Sequence, residues 1–183
     1  MTLLKIARMG HPVLRRPALP VDSPTDPDIA RLVRDMADTM LDAHGVGLAA
    51  PQVYRDLRVI VFRVPQDRAE DGEPEAPRGL TALINPVITP VGDDLALGLE
   101  GCLSIPGLRG LVPRYRRIVY QGVTPDGTRV ERAAEGFHAR VVQHEVDHLD
   151  GILFFDRVSD LADIAFDDEA HHLVTRYQPA SEG

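Results

Sequence analysis

Two histidines separated by three residues, with a glutamate directly after the first, restrict most strongly what this chain can be. They lie in the segment QHEVDH at 143–148. On a helix this spacing places His144 and His148 on one face, where both imidazoles can bind one divalent metal ion, with Glu145 beside its open side. Metal-assisted hydrolysis needs a Lewis acid, a water molecule and a carboxylate that takes the water's proton. The segment therefore predicts a hydrolytic metal site on a helix.

Such a site needs a third protein ligand, which leaves one coordination position for water. The candidates are Cys102, the other histidines and the many carboxylates. Cys102 lies in LEGCLS at 99–104, where the preceding glycine allows close approach of a bound group. The loop of small residues GVGLAAPQ at 45–52 also permits close approach of another chain. The residues alone leave the third ligand open.

Length and charge restrict the class of protein. The chain has 183 residues, enough for one well-buried domain and short for two, so we expect a single domain over 1–183. Its 28 acidic and 20 basic side chains argue against a nucleic-acid-binding surface. It has no apolar run of membrane-spanning length and no signal-peptide core, so we expect a cytoplasmic protein without membrane contact.

Apolar spacing and turn signals predict the main elements. A first helix is expected over about 28–44, with Asp26 as its N-cap and Pro27 at its first position, and a second over about 136–149. Strands are expected over 57–64, 80–84, 87–89, 117–123 and 128–133, the last two paired by a Pro-Asp-Gly turn. Because helices and strands do not alternate, the expected fold class is α+β, with short antiparallel sheets packed around the central helix that carries the histidines.

Two segments lack an apolar pattern of their own. The stretch 65–79 is rich in proline, glycine and acidic residues, which predicts a mobile surface excursion. The tail over 161–183 is acidic with loosely periodic apolar residues, and either a helix or partial disorder fits it.

Three segments together resemble the peptide deformylase family. They are GVGLAAPQ at 45–52, EGCLS at 100–104 and QHEVDHLDG at 143–151, in the order in which that family has them, and the resemblance covers roughly 5–160. It implies that Cys102, His144 and His148 bind the metal and that Glu145 is the catalytic acid and base. It implies one divalent ion per chain, physiologically Fe²⁺, with Zn²⁺ or another ion an alternative in a purified sample.

The resemblance also implies how the substrate is held. The side-chain amide of Gln52 and the backbone N–H of Leu103 would stabilise the developing oxyanion. The peptide would bind as an added strand and pair with the backbone at Val46, Gly47 and Gly101.

The implied activity is removal of the formyl group from the initiator methionine of nascent polypeptides, and a transient ribosome contact stays open. Two alternatives are a related metal-dependent amidase or metallopeptidase, and a catalytically silent ribosome-associated module. A zinc-helix peptidase ordinarily takes a downstream His or Glu ligand, so the upstream Cys102 argues against it. A silent module is expected to lose Glu145 or Gln52, and this chain has both.

Arg140 departs from the family's pattern, since many deformylases have an aliphatic residue one turn before the first histidine. We expect its methylenes to line the pocket for the substrate methionine and its guanidinium to reach water at the rim.

The positions of several other polar residues also lead to expectations. Glu100 fits either a place beside the metal ligands or an ion pair, for instance to Arg109. His44, at the end of the first helix, is expected to interact with the helix dipole and the last carbonyls. The remaining histidines are expected not to bind metal; they are His11, His138, His171 and His172.

Overall fold

A computed structural model describes residues 2–65 and 79–177. Apart from its two end residues, the predicted excursion over 65–79 lies outside the described residues, as do the last six residues of the acidic tail. Within the described part of the tail the chain forms a short strand and then a helix.

The first helix, α1, spans Pro27–Asp42 and begins as predicted. The side chain of Asp26 accepts a hydrogen bond from the backbone N–H of Asp28 at 2.8 Å, and Pro27 occupies the first position, where no N–H is needed. The apolar face of α1 packs in one buried cluster with neighbouring strand residues such as Leu48 and Val61. After the helix, His44 takes a positive φ of 54°, and its backbone N–H donates to the carbonyl of Leu41 at 3.0 Å.

Among the described residues, eight strands form two antiparallel sheets, and the second long helix contacts strands of both. The five-stranded sheet has the order β1-β2-β3-β6-β7 and consists of β1 Gly47–Ala49, β2 Val59–Arg63, β3 Leu80–Pro90, β6 Arg117–Val123 and β7 Arg129–Glu135. The three-stranded sheet has the order β4-β5-β8 and consists of β4 Leu95–Cys102, β5 Ile105–Tyr115 and β8 Ile164–Phe166. The helices are α1, α2 Gly136–Leu149 and α3 Ala170–Tyr177. The predicted α+β class is confirmed.

The predicted strands over 80–84 and 87–89 are one strand, β3. Its pairing with β6 shifts register between Ile84 and Val87, so the chain passes through an irregularity without leaving the sheet. Asn85 lies there at a φ of 52°, a conformation that asparagine adopts more readily than most residues. Its side chain exchanges two hydrogen bonds of 2.9 Å with the backbone of Val21, which holds the segment before α1 against the sheet.

The helix α2 is almost completely buried, with eleven of its fourteen residues shielded from solvent. Its polar side chains therefore need partners inside the protein, because a buried polar group without one costs free energy. No helix in the described ranges is long and apolar enough to cross a membrane.

His138 of α2 is expected to make folding sensitive to acid. Its ring is buried beside Phe62, with Nε2 3.2 Å from the hydroxyl of Tyr120. Burial, together with the charge of Arg132, lowers the pKa of His138 from 6.5 to about 4. The unfolded chain therefore takes up this proton first, and stability present above pH 6.5 is lost as the pH falls toward 4, by ~3 kcal/mol.

Urea unfolding of His138→Gln and the unchanged protein between pH 7 and pH 4.5 measures this effect. The variant is expected to lose less stability over that range. His172, which is exposed, provides the control His172→Gln, whose pH dependence should match the unchanged protein. If the free energy of unfolding changed equally with pH in all three proteins, His138 would not contribute to the pH dependence of stability.

Candidate metal centre and active-site cleft

Two elements bring three candidate metal ligands together. The buried helix α2 presents His144 and His148 on one face, and the end of β4 presents Cys102. Nε2 of His148 lies 3.2 Å from Sγ of Cys102, and the ligand atoms of all three residues lie within 4.8 Å of one another. Within residues 2–65 and 79–177 no other three His, Cys, Asp or Glu side chains converge in this way. A thiolate with two imidazoles suits Zn²⁺ or Fe²⁺, so the donor set fits one divalent ion.

Glu145 lies buried beside these ligands, and its approach depends on a glycine. Its Oε2 has no hydrogen-bond partner among the described residues. A Cβ on Gly47 would lie 2.1 Å from Oε1, so only glycine at this point of β1 leaves room for the carboxylate. Burial, with a contribution from Glu100, raises the pKa of Glu145 to about 7. A carboxyl group with such a pKa can both accept and return a proton near neutral pH.

Gln52 has two distinct functions at its two ends. Its Oε1 accepts the backbone N–H of Ala49 at 2.8 Å and so caps the short 3-10 helix Ala50–Val53. Its Nε2 donates to Oγ of Ser104 at 3.1 Å and lies 3.5 Å from Sγ of Cys102. Gln52 therefore caps this 3-10 helix and also places an N–H donor beside the candidate ligands. Leu103 follows Cys102 in the turn between β4 and β5.

Glu100 binds the ring of a candidate ligand. Its Oε2 lies 2.8 Å from Nδ1 of His144, and Arg114 donates two bonds of 2.9 and 3.0 Å to its two oxygens. Burial alone would raise the pKa of Glu100, but His144 and Arg114 hold it well below its usual range. The carboxylate thus keeps the Nδ1 proton of His144 in place and leaves Nε2 for a metal. The suggested ion pair of Glu100 with Arg109 is wrong, since Arg109 contacts Asp167.

Arg114, which lies outside the sequence motifs, forms a buried ion-pair network with Asp147 of the histidine motif. Arg114 of β5 is buried and contacts Asp147 of α2 in addition to Glu100. Arg157 also donates to Asp147, at 2.7 and 3.1 Å. A lone arginine in the otherwise apolar stretch LVPRY could have revealed this network, because arginine is rarely buried without a partner.

A cleft of about 440 Å³ opens beside the candidate ligands. Val46, Gly47 and Gly101, expected to pair with substrate, all line it, as do His44 and Arg140.

The expectation that the guanidinium of Arg140 reaches water is wrong. The side chain is 11% exposed, and its guanidinium donates to Oε1 of Glu100 at 2.8 Å and to the carbonyls of Ala96 and Val112 at 2.7 and 2.8 Å. The guanidinium therefore binds strand carbonyls and a buried carboxylate instead of water at the rim of the cleft.

The sequence of this chain matches one family model and is similar to those of known proteins. Residues 3–163 match the family model described as Polypeptide deformylase. Peptide deformylase 1 of Bordetella pertussis is 52% identical over 161 residues, which cover 88% of this chain and 90% of that protein. Peptide deformylase 1 of Nitrosomonas europaea is 47% identical over 163 residues, which cover 89% of this chain and 92% of that protein.

Solved structures share the fold. The Met-Ala-Ser-bound class I type b peptide deformylase from Acinetobacter baumannii has a TM-score of 0.77 and 40% identity, and the match covers 86% of this chain and 99% of that chain. The peptide deformylase from Thermotoga maritima has a TM-score of 0.78 and 37% identity, over 87% of this chain and 100% of that chain. These matches run nearly the whole length of the solved chains.

Proposed function

The chain belongs to the polypeptide deformylase family of metalloenzymes and removes the N-formyl group from nascent polypeptides, and from this premise we propose which of its residues carry out the reaction. The matches do not support the alternatives of another amidase, a metallopeptidase or a silent module. The observation that carries the proposal is the convergence of three ligand atoms next to a buried, unpaired carboxylate oxygen.

Cys102, His144 and His148 hold the metal ion. Glu100 supports this set, because it fixes the ring of His144 with Nε2 directed away from the carboxylate. We assign Fe²⁺ as the physiological ion on the resemblance to the family, because the donor set itself suits Fe²⁺ and Zn²⁺ alike. Zn²⁺ or another divalent ion is the alternative in a purified sample. When bound, a divalent ion polarises the formyl oxygen and lowers the pKa of water.

Glu145 transfers the proton. Its carboxylate takes a proton from the attacking water and returns it to the amine that leaves, which its pKa near neutrality allows. Meanwhile Nε2 of Gln52 and the backbone N–H of Leu103 donate to the oxyanion on the formyl group. The cap on Ala49 holds the Gln52 amide in place, so the donor is oriented before substrate arrives.

The substrate is a peptide that begins with formylmethionine. It lies in the cleft as an added strand, paired with the backbone at Val46, Gly47 and Gly101, with its methionine side chain near Arg140. The Met-Ala-Ser bound to the Acinetobacter baumannii relative supports a peptide that begins with methionine as the substrate. The chain acts as one catalytic domain over 1–183 in the cytoplasm, where nascent chains emerge, and makes at most a transient contact with the ribosome.

Turnover of formyl-Met-Ala-Ser by protein prepared anaerobically with Fe²⁺ tests the function directly. Formate release is expected, whereas acetyl-Met-Ala-Ser should not react and unformylated Met-Ala-Ser should stay intact. Cleavage of the unformylated peptide would show a peptidase instead.

Gln52→Leu is expected to lower kcat about 100-fold with little change in KM, because a donor to the oxyanion acts mainly in the transition state. Steady-state kinetics with formyl-Met-Ala-Ser gives both constants. Ser104→Ala is the matched control, since it removes the Nε2–Oγ bond but leaves the donor in place. Equal losses in the two variants would assign the effect to the hydrogen-bonded pair and not to the oxyanion donor.

A further inference from the structure

Arg140 connects the helix that carries two metal ligands to the strand that carries the third. It lies on α2 one turn before His144, and its guanidinium donates to the Ala96 carbonyl of β4 and the Val112 carbonyl of β5. A third bond of 2.8 Å reaches Oε1 of Glu100, also on β4. A longer bond of 3.4 Å reaches the carbonyl of Gly98, so one side chain fixes the β4–β5 hairpin to α2 at four points.

Gly98 of β4 leaves room for the guanidinium of Arg140. A Cβ at Gly98 would lie 2.7 Å from Cζ and Nη2 of Arg140, too close for both groups to stay where they are. Gly98 does not have a positive φ, so its backbone could accommodate another residue. The close contact with Arg140 is therefore the physical reason for a glycine at this position.

The hydrogen bonds of Glu100 connect Arg140 to the proposed metal ligand His144. Oε1 accepts from Arg140 and Arg114, while Oε2 accepts from Arg114 and lies against His144. Without Arg140, Oε1 keeps only the donor from Arg114, so the carboxylate that orients His144 is held by fewer bonds. Cys102 lies four residues beyond Gly98 on the same strand, so a shift of β4 also moves the thiol.

We propose that Arg140 and Gly98 act together as a positioning pair that sets the distance between Cys102 on β4 and the two histidines on α2. Arg140 is thus a positioning residue for the metal ligands, in addition to a wall of the cleft. This inference rests on the proposed ligand set.

Cobalt substitution separates positioning from a purely structural role, because the visible bands of Co²⁺ report the geometry and the thiolate ligand. In Arg140→Met we expect shifted bands and Co²⁺ binding about tenfold weaker, as for other groups that orient metal ligands. Gly98→Ala is expected to give a similar loss, since its Cβ displaces the guanidinium. Arg140→Lys should recover part of the loss, because it can still donate to Glu100.

The double variant Gly98→Ala/Arg140→Met tests the coupling. If the two residues act as a pair, the alanine costs about tenfold alone and almost nothing once Arg140 is gone. Fully additive losses would overturn the pairing. Arg58→Met is the matched control, since Arg58 is also partly buried and binds the far end of α2 through Asp150 and the carbonyl of Leu149. It should lower the thermal midpoint but leave the bands and the affinity unchanged.

Arg140→Met could also lower the thermal midpoint while the visible Co²⁺ bands and the affinity for Co²⁺ stay unchanged. That result would show that Arg140 has only a structural role and would overturn the proposal. Should that variant not fold, Arg140→Lys and Gly98→Ala provide the same measurements, and unchanged bands and affinity in both would overturn the proposal equally. Failure of the unchanged protein to show a thiolate–Co²⁺ band would instead refute the ligand set itself, so the two failures are distinguishable.

Discussion

Glu145→Gln is expected to keep the metal and lose nearly all turnover. Glutamine preserves the shape of a side chain that lies against Gly47, so the fold and the ligands should persist. It cannot accept the proton of the attacking water, and such proton transfer typically contributes 10²–10⁴-fold. We expect a fall in kcat of about 10³-fold, within that range, with the metal content of the unchanged protein.

Single-turnover formate release, together with metal analysis of the same sample, measures both properties. Glu131→Gln is the control, because Glu131 is exposed on β7 and its replacement should leave turnover intact. Hydrolysis near the unchanged rate by Glu145→Gln would mean that another group moves the proton, and the proposed mechanism would be wrong.

Cys102→Ser should abolish tight metal binding. A hydroxyl is a far poorer anionic ligand than a thiolate, and the loss should exceed ~100-fold in affinity, since changes outside the ligand shell alone cost 10–100-fold. The two side chains are close in size, so the fold should survive and turnover should fall with metal occupancy.

Titration with Zn²⁺ and X-ray absorption of the loaded protein test this expectation. The unchanged protein should show one sulfur neighbour, and Cys102→Ser none. If the variant retained one ion per chain with unaltered affinity, Cys102 would not be the third ligand.

Local patterns predicted the two long helices, α1 and α2, and one hairpin to within about two residues. The cap at Asp26, the proline after it and the helical spacing of apolar residues define α1, and the Pro-Asp-Gly turn defines the β6–β7 pair. These signals act within a few residues of one another, so a single sequence displays them.

The β4–β5 hairpin was not predicted because its stability comes from distant partners. Its inward positions include Gly98, Glu100 and Arg114, which have low strand propensity or carry charge. They are accommodated there because Arg140 and Asp147, which lie 28 to 44 residues further along the chain than the hairpin residues they contact, supply the opposite contacts. Helical geometry likewise placed Arg140 near the cleft but could not reveal that strand carbonyls bind its guanidinium.

The motifs indicated the proposed ligands and Glu145, and a place for Glu100 beside the ligands was one of two alternatives. The contacts that Arg114 and Arg140 make with Glu100 were found only in three dimensions. Asp147 lies inside the histidine motif, yet its contacts with Arg114 and Arg157 depend on the packing of β5 and of the segment after α2.

Burial of α2 on nearly every side has a consequence for how this sequence can change. A helix with an exposed face, such as α1 with Arg31 and Arg34, can accumulate substitutions that have little effect on folding stability. Between the histidines of α2, Glu145 lies against Gly47, Val146 packs in the core and Asp147 forms ion pairs, so folding and catalysis constrain the same helix. Variation in substrate preference is therefore easier to acquire in the strands and loops that line the cleft than in the helix that carries the chemistry.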